Sequence, residues 1–213
     1  MKKYISEFIA SFSLIFFGTG AAIVDEVTHG SITHTGVALA FGLVVMILIY
    51  AFGSISGTHI NPAVTIAFAI NKSFAWNKVL PYIVSQAAGA LAGSLLLKQL
   101  FPGSLLLGAT LPSGPAMQSF ILELILTFFL MLVILRVATG SKEQGMLAGL
   151  AIGSVVLLEA LFAGPISGAS MNPIRSLAPA LINQNLSSIW IYVTAPFIGS
   201  IAAVGVNRFF EKE

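Results

Sequence analysis

The chain has 213 residues, 57% of them hydrophobic and only 8% charged, with a formal net charge of +2 and a mean hydropathy of +0.96. A soluble domain carries about 25% charged residues, so this composition excludes an ordinary soluble domain and points to the bilayer. There is no cysteine, which excludes a disulfide framework and thiol chemistry, and so small a charge makes no case for a nucleic-acid partner.

A membrane-spanning helix needs roughly 20 apolar residues. The first candidate span is 4–24, behind Lys2 and Lys3. Those lysines resemble a signal-peptide start, but no small-residue cleavage site follows, so the segment reads as a retained span. The uncharged run 35–71 is too long for one span and too short for two. One span over 35–52 plus a half-span segment fits it. Further spans are expected at 79–97, 118–136, 145–162 and 189–209, with a Gly- and Pro-rich loop at 99–117. Lys2, Lys3, Lys72, Lys78, Arg136, Lys142, Arg208 and Lys212 then share one side, against Asp25, Glu26 and Lys98 on the other. The excess of positive charge places both termini in the cytoplasm. Trp76, Tyr82, Trp190 and Tyr192 fall near span ends, where interfacial aromatics are common. The expected fold is an all-α membrane protein of six spans and two re-entrant half-helices.

Two segments repeat each other at an offset of 111 residues (172 − 61). They read Ser56-Gly57-Thr58-His59-Ile60-Asn61-Pro62-Ala63-Val64-Thr65 and Ser167-Gly168-Ala169-Ser170-Met171-Asn172-Pro173-Ile174-Arg175-Ser176. Glu7 and Glu123 each precede an Asn-Pro by about fifty residues. Three spans per half give the halves opposite orientation, an inverted repeat over about 1–105 and 115–213 within a single channel domain. Small pairs such as Ala38 and Gly42, Gly89 and Gly93, and Gly149 and Gly153 allow close helix crossing.

Asn is a strong helix N-cap and Pro suits the first helical position. Asn61-Pro62 and Asn172-Pro173 therefore read as starts of helices about half a bilayer long, meeting N-terminus to N-terminus. Non-helical backbone at that depth is tolerated only where it lines a water-filled path. The carbonyls of Gly57, Thr58, His59 and Ile60 would line one half, and those of Gly168, Ala169, Ser170 and Met171 the other. The two helix ends add about +0.5 charge each, which repels cations and protons. Arg175 is the third residue of such a helix, where a cation is disfavoured, and its counterpart in the other repeat is the neutral Val64. A donor fork at the outer constriction and an ion pair with Glu159 are both open readings.

These paired segments and paired glutamates resemble the major intrinsic proteins, the aquaporins and aquaglyceroporins, over essentially the whole chain. The run Gly164-Pro165-Ile166-Ser167-Gly168-Ala169-Ser170-Met171-Asn172-Pro173 is similar to the plant nodulin-like intrinsic branch and its bacterial relatives. Ile174 departs from the family's usual Ala, and its bulk bears on the setting of Asn172. The resemblance implies an outer filter of Phe41, Ala160, Ala169 and Arg175, located twenty residues before the first Asn and twelve before, three before and three after the second. It implies that Glu7 and Glu123 hold the pore loops, that the chain is a homotetramer in the cell membrane, and that it binds no cofactor or metal. Water-selective relatives place His where this chain has Ala160, so the filter is expected to be wider and more apolar. Ser176 and Ala180, where glycerol facilitators carry Asp and a basic residue, pull the other way.

The resulting expectation is a passive channel for water and for small uncharged solutes such as glycerol, urea and metalloid hydroxides, closed to protons and ions, and not an enzyme. An aquaglyceroporin-type facilitator with water secondary is the alternative. A secondary transporter is more remote, because the centre holds two Asn and no acid. A hydrolase built on Ser170 lacks a nucleophile–base spacing. Glu159 reads as a buried carboxyl bonding loop backbone, His59 as a structural imidazole, and His29 and His34 as surface-loop residues.

Overall fold

The computed structural model describes residues 1–138 and 145–210. In chain order the helices are α1 (Lys2–Val27), α2 (Thr33–Ser56), α3 (Pro62–Ile70), α4 (Trp76–Leu100), α5 (Ala116–Ala138), α6 (Ala148–Ser167), α7 (Pro173–Ile182) and α8 (Ile189–Phe210). Among the described residues six of them, all but α3 and α7, are long and apolar enough to cross a membrane. Lys142 and Lys212, assigned above to the cytoplasmic side, lie outside the described residues.

Several helices differ from the expected boundaries. α2 runs to Ser56 rather than 52, and α6 to Ser167 rather than 162. What stops them is Gly57 and Gly168, at φ 85° and 87°, a left-handed backbone that glycine adopts without steric cost. Pro165 lies inside α6 without ending it. α1 carries a wider π-type turn over Leu14–Thr19, a feature without a sequence signal.

Three helix crossings set the frame, and each needs glycine. A Cβ on Gly42 would stand 2.8 Å from the Gly153 carbonyl oxygen, and one on Gly153 would stand 2.7 Å from that of Gly42. These two residues are 111 apart (153 − 42), so α2 and α6 cross at equivalent points of the two repeats. A Cβ on Gly89 in α4 would collide with the Phe8 carbonyl oxygen of α1. One on Gly199 in α8 would collide with that of Leu124 in α5. Apolar association is weak in lipid, so close backbone approach and its dispersion contacts hold such pairs.

Large apolar residues such as Ile47, Leu80, Phe129 and Phe162 remain exposed on the outer faces of the spans. Trp76 and Trp190 are also exposed, as interfacial residues would be. Tyr82 and Tyr192 are not: both are fully buried, donating hydroxyl hydrogen bonds to the carbonyls of Ser56 (2.9 Å) and Ser167 (2.6 Å). The expectation of interfacial tyrosines is corrected, because each anchors the end of the helix that precedes a break.

Gly153→Val should lower stability by about 1–3 kcal/mol through overpacking at the α2–α6 crossing. Thermal unfolding in detergent checks this, with Gly205→Ala as the control, since a Cβ there meets nothing within 4 Å.

Candidate functional site

The two breaks meet at the centre of the bundle. Asn61 Oδ1 accepts from the Ala63 N–H (2.9 Å) and Asn172 Oδ1 from the Ile174 N–H (3.2 Å), so each caps its own half-helix. Asn61 Nδ2 then donates to the Met171 carbonyl, and Asn172 Nδ2 to the Ile60 carbonyl, both at 2.8 Å. The bridges are reciprocal. Each amide has one further N–H, and both Asn side chains line the central chamber of a passage. The Ile60 and Met171 carbonyls, expected to line the path, thus each give a lone pair to the opposite break.

The loops ahead of the two Asn residues share a strained backbone. Thr58 and Ile60 (φ 48° and 44°) mirror Ala169 and Met171 (φ 42° and 54°) in the left-handed region. For non-glycine residues this costs roughly 1–2 kcal/mol each. Two buried glutamates hold the conformation. Glu7 accepts the Ser56 hydroxyl (2.7 Å), the His59 and Ile60 N–H groups (2.9 and 2.8 Å) and the Gln86 amide (2.8 Å). Glu123 accepts the Ser167 hydroxyl (2.8 Å) and the Ser170 and Met171 N–H groups (2.9 and 2.8 Å).

The passage has two chambers. Gly57, Thr58, His59, Ile60, Ser170 and Met171 line the central one, while Gly168 lines the mouth chamber. Four residues line both: Phe41, Ala160, Ala169 and Arg175. They form the neck, and they come from α2, α6, the second break and α7. Pro62, Ala63 and Pro173 are buried behind the passage wall. Ile174 also turns away from it, into an apolar cluster with Ala90, Leu97 and Ala178. Its bulk leaves the two Asn bridges equal at 2.8 Å, while the Asn172 cap is 3.2 Å against 2.9 Å at Asn61.

Arg175 Nη1 donates to the Gly108 carbonyl (2.8 Å), and its guanidinium carbon lies 4.8 Å from the centre of the Phe41 ring. It makes no ion pair with Glu159. That carboxyl finds no hydrogen-bond partner among the described residues, which corrects the expectation that it bonds loop backbone. His59 packs among Phe68, Phe74 and Tyr82 and pairs through Nδ1 with Thr65 Oγ1 (3.2 Å), a structural setting. No cluster of three His, Cys, Asp or Glu side chains able to hold a metal occurs among the described residues.

Sequence reasoning missed the contribution of the connecting loop. Glu26 accepts the Ser104 hydroxyl (2.7 Å) and the Leu105 and Leu106 N–H groups (2.8 and 3.2 Å), drawing the loop over the mouth chamber. Thr110 donates to Ser176 (2.6 Å), and Gly108 presents its carbonyl to Arg175. The glycine is required there: φ is +62°, and a Cβ would collide with the Thr19 side chain. The Gly and Pro content signalled a loop but not its target. Gly18 was missed too. It lies in the π-type turn of α1, and a Cβ on it would be 2.5 Å from the Phe41 ring.

A model of the major intrinsic protein family matches residues 1–206. The chain is 47% identical over 222 residues to Aquaporin NIP1-1 of Oryza sativa, covering 100% of this chain and 76% of that protein. It is 44% identical over 207 residues to Nodulin-26 of Glycine max, covering 97% and 76% respectively. The fold superposes on an aquaglyceroporin from Plasmodium falciparum with a TM-score of 0.87 at 27% identity, covering 99% of this chain and 95% of that one. The chain belongs to the major intrinsic protein family and is a multi-pass membrane protein.

Glu123→Ala would strand two buried backbone N–H groups now bonded to a carboxylate. At about 1.5–3 kcal/mol each, the loss should be on the order of 3–6 kcal/mol. Heat-induced aggregation in detergent should show it, with Glu123→Gln intermediate. Gly18→Ala should push the Phe41 ring into the neck and cut flux through the passage at unchanged reconstitution yield, measured in proteoliposomes.

Proposed function

We propose that this member of the major intrinsic protein family is a passive channel for water and small uncharged solutes, closed to ions and protons. The observation that carries the reading is the neck. Four residues from four separate elements line both chambers, and the capped Asn pair lies beyond them. Exclusion of charge by the positive ends of half-helices is the established device of aquaporin-type pores, and the two Asn-capped ends supply it here.

Phe41, Ala160, Ala169 and Arg175 act as the selectivity filter in this proposal. Arg175 and the spare Asn N–H groups donate to a passing oxygen, while Phe41 and Ala160 form an apolar wall. Ala160 removes a polar side chain from the ring and leaves volume for solutes larger than water. Glu7 and Glu123 hold the pore loops. The two halves, about 1–105 and 115–213, are an inverted repeat. The mirrored bridges, the mirrored strained residues and the Gly42–Gly153 crossing support that reading. Both termini lie in the cytoplasm and the host is the cell membrane, supported by Lys2, Lys3, Lys72, Lys78, Arg136 and Arg208 on one side. Assembly as a homotetramer rests on family resemblance. A coupled transporter is disfavoured because the central polar groups are amides, and Glu7 and Glu123, behind the passage wall, are bonded to loop backbone.

Stopped-flow light scattering on proteoliposomes tests this. Water permeability should exceed that of empty vesicles, glycerol and urea should also enter, and none should respond to proton or sodium gradients. Mercurials should not block through a thiol, since the chain has none. Phe41→Ala and Arg175→Ala should each raise glycerol and urea entry relative to water. One lost side-chain constraint is worth about 1–3 kcal/mol of discrimination. Unchanged selectivity in both variants would refute the filter assignment.

A further inference from the structure

His34 is exposed, as expected, but it is helical rather than part of a loop. It occupies the first turn of α2, and its Nε2 donates to the Leu161 carbonyl of α6 at 2.9 Å. The reason lies in α6. A helical carbonyl normally accepts from the N–H four residues on, but position 165 is proline and has none. The Leu161 carbonyl is therefore released, and the imidazole takes it. Gly164 makes room, since a Cβ there would stand 2.6 Å from His34 Cε1.

A carbonyl only accepts, so Nε2 carries the proton and Nδ1 of the neutral ring is an acceptor. Nδ1 has no partner among the described residues. The ring lines the mouth chamber against Gly164, which is one helical turn past Ala160 in α6, with Arg175 and Phe41 in the same wall. Glu26 and Arg175 are the charged side chains of that wall. The Glu26 carboxylate is already engaged by the connecting loop, and Arg175 can only donate.

We propose that His34 is a further specificity-determining residue, whose Nδ1 accepts a hydroxyl from a small polyol at the mouth. The proposal rests on the channel reading above. Water in a file can donate to the next water. A polyol has several hydroxyls to satisfy at once and fills more of the neck, so it depends on an acceptor in the wall. The sequence puts no polar side chain at position 160, and the mouth supplies one by another route.

The test compares glycerol and water permeability of wild type, His34→Phe, and His34→Phe combined with Pro165→Ala, in proteoliposomes by stopped flow. His34→Phe keeps a ring and removes the acceptor. Pro165→Ala returns a helical donor to the Leu161 carbonyl and so separates the acceptor from the cap. The glycerol-to-water ratio should fall about three- to tenfold in both variants, the effect of one lost hydrogen bond. A ratio within twofold of wild type in both would overturn the proposal. So would a fall in the single variant that the second substitution restores, because the cap would then be the cause. Wild-type vesicles that pass neither water nor glycerol would instead sink the channel reading.

Discussion

Everything at the centre of this protein depends on two reciprocal hydrogen bonds, from Asn61 to the Met171 carbonyl and from Asn172 to the Ile60 carbonyl. Each Asn closes the N-terminus of its own half-helix and at the same time holds the loop that precedes the other. Neither break can be displaced without releasing its partner. The arrangement aims two positive helix ends at one point, which is unfavourable on its own. It also keeps β-branched and long side chains in a left-handed backbone. Glu7 and Glu123 over-determine those loops by accepting successive N–H groups from behind.

Around this nearly symmetric centre, the asymmetric residues give the passage its character. Val64 in one half-helix corresponds to Arg175 in the other, and Ala63 corresponds to Ile174. Ile174 is absorbed by an apolar cluster away from the passage. Arg175 is compensated differently. An Arg at membrane depth costs at least about 2.5–3.5 kcal/mol, and here its guanidinium has the Gly108 carbonyl and the Phe41 ring against it. The connecting loop thereby does more than link two halves, since Glu26 and Thr110 tie it to the mouth and the second half-helix.

A proline inside α6 illustrates how a local defect becomes a long-range contact. Here Pro165 releases the Leu161 carbonyl at the mouth, and a residue 127 positions away satisfies it. Gly18 works by the same logic of space, because a hydrogen in place of a methyl is what seats the Phe41 ring.

Much of this was legible in the sequence. Composition determined the solvent, run lengths determined six spans and the first half-span, and the repeated Asn-Pro determined the second half-span and where both half-helices begin. Those signals are local, since they depend on chain chemistry within a few residues. The sequence also determined the neck residues once the family spacing was recognised. Only the tertiary structure decided which groups meet across the fold: the Asn bridges, Gly42 against Gly153, Gly108 against Arg175, and His34 against Leu161. It moved Tyr82 and Tyr192 inward, left Glu159 unpartnered and turned Ile174 away from the passage. The physical reason is that hydropathy says whether a helix is in the membrane, while in lipid almost every helix face is apolar. Which face turns inward is then set by glycine-scale fit and by buried polar groups that must find partners, and neither has a period that a sequence displays.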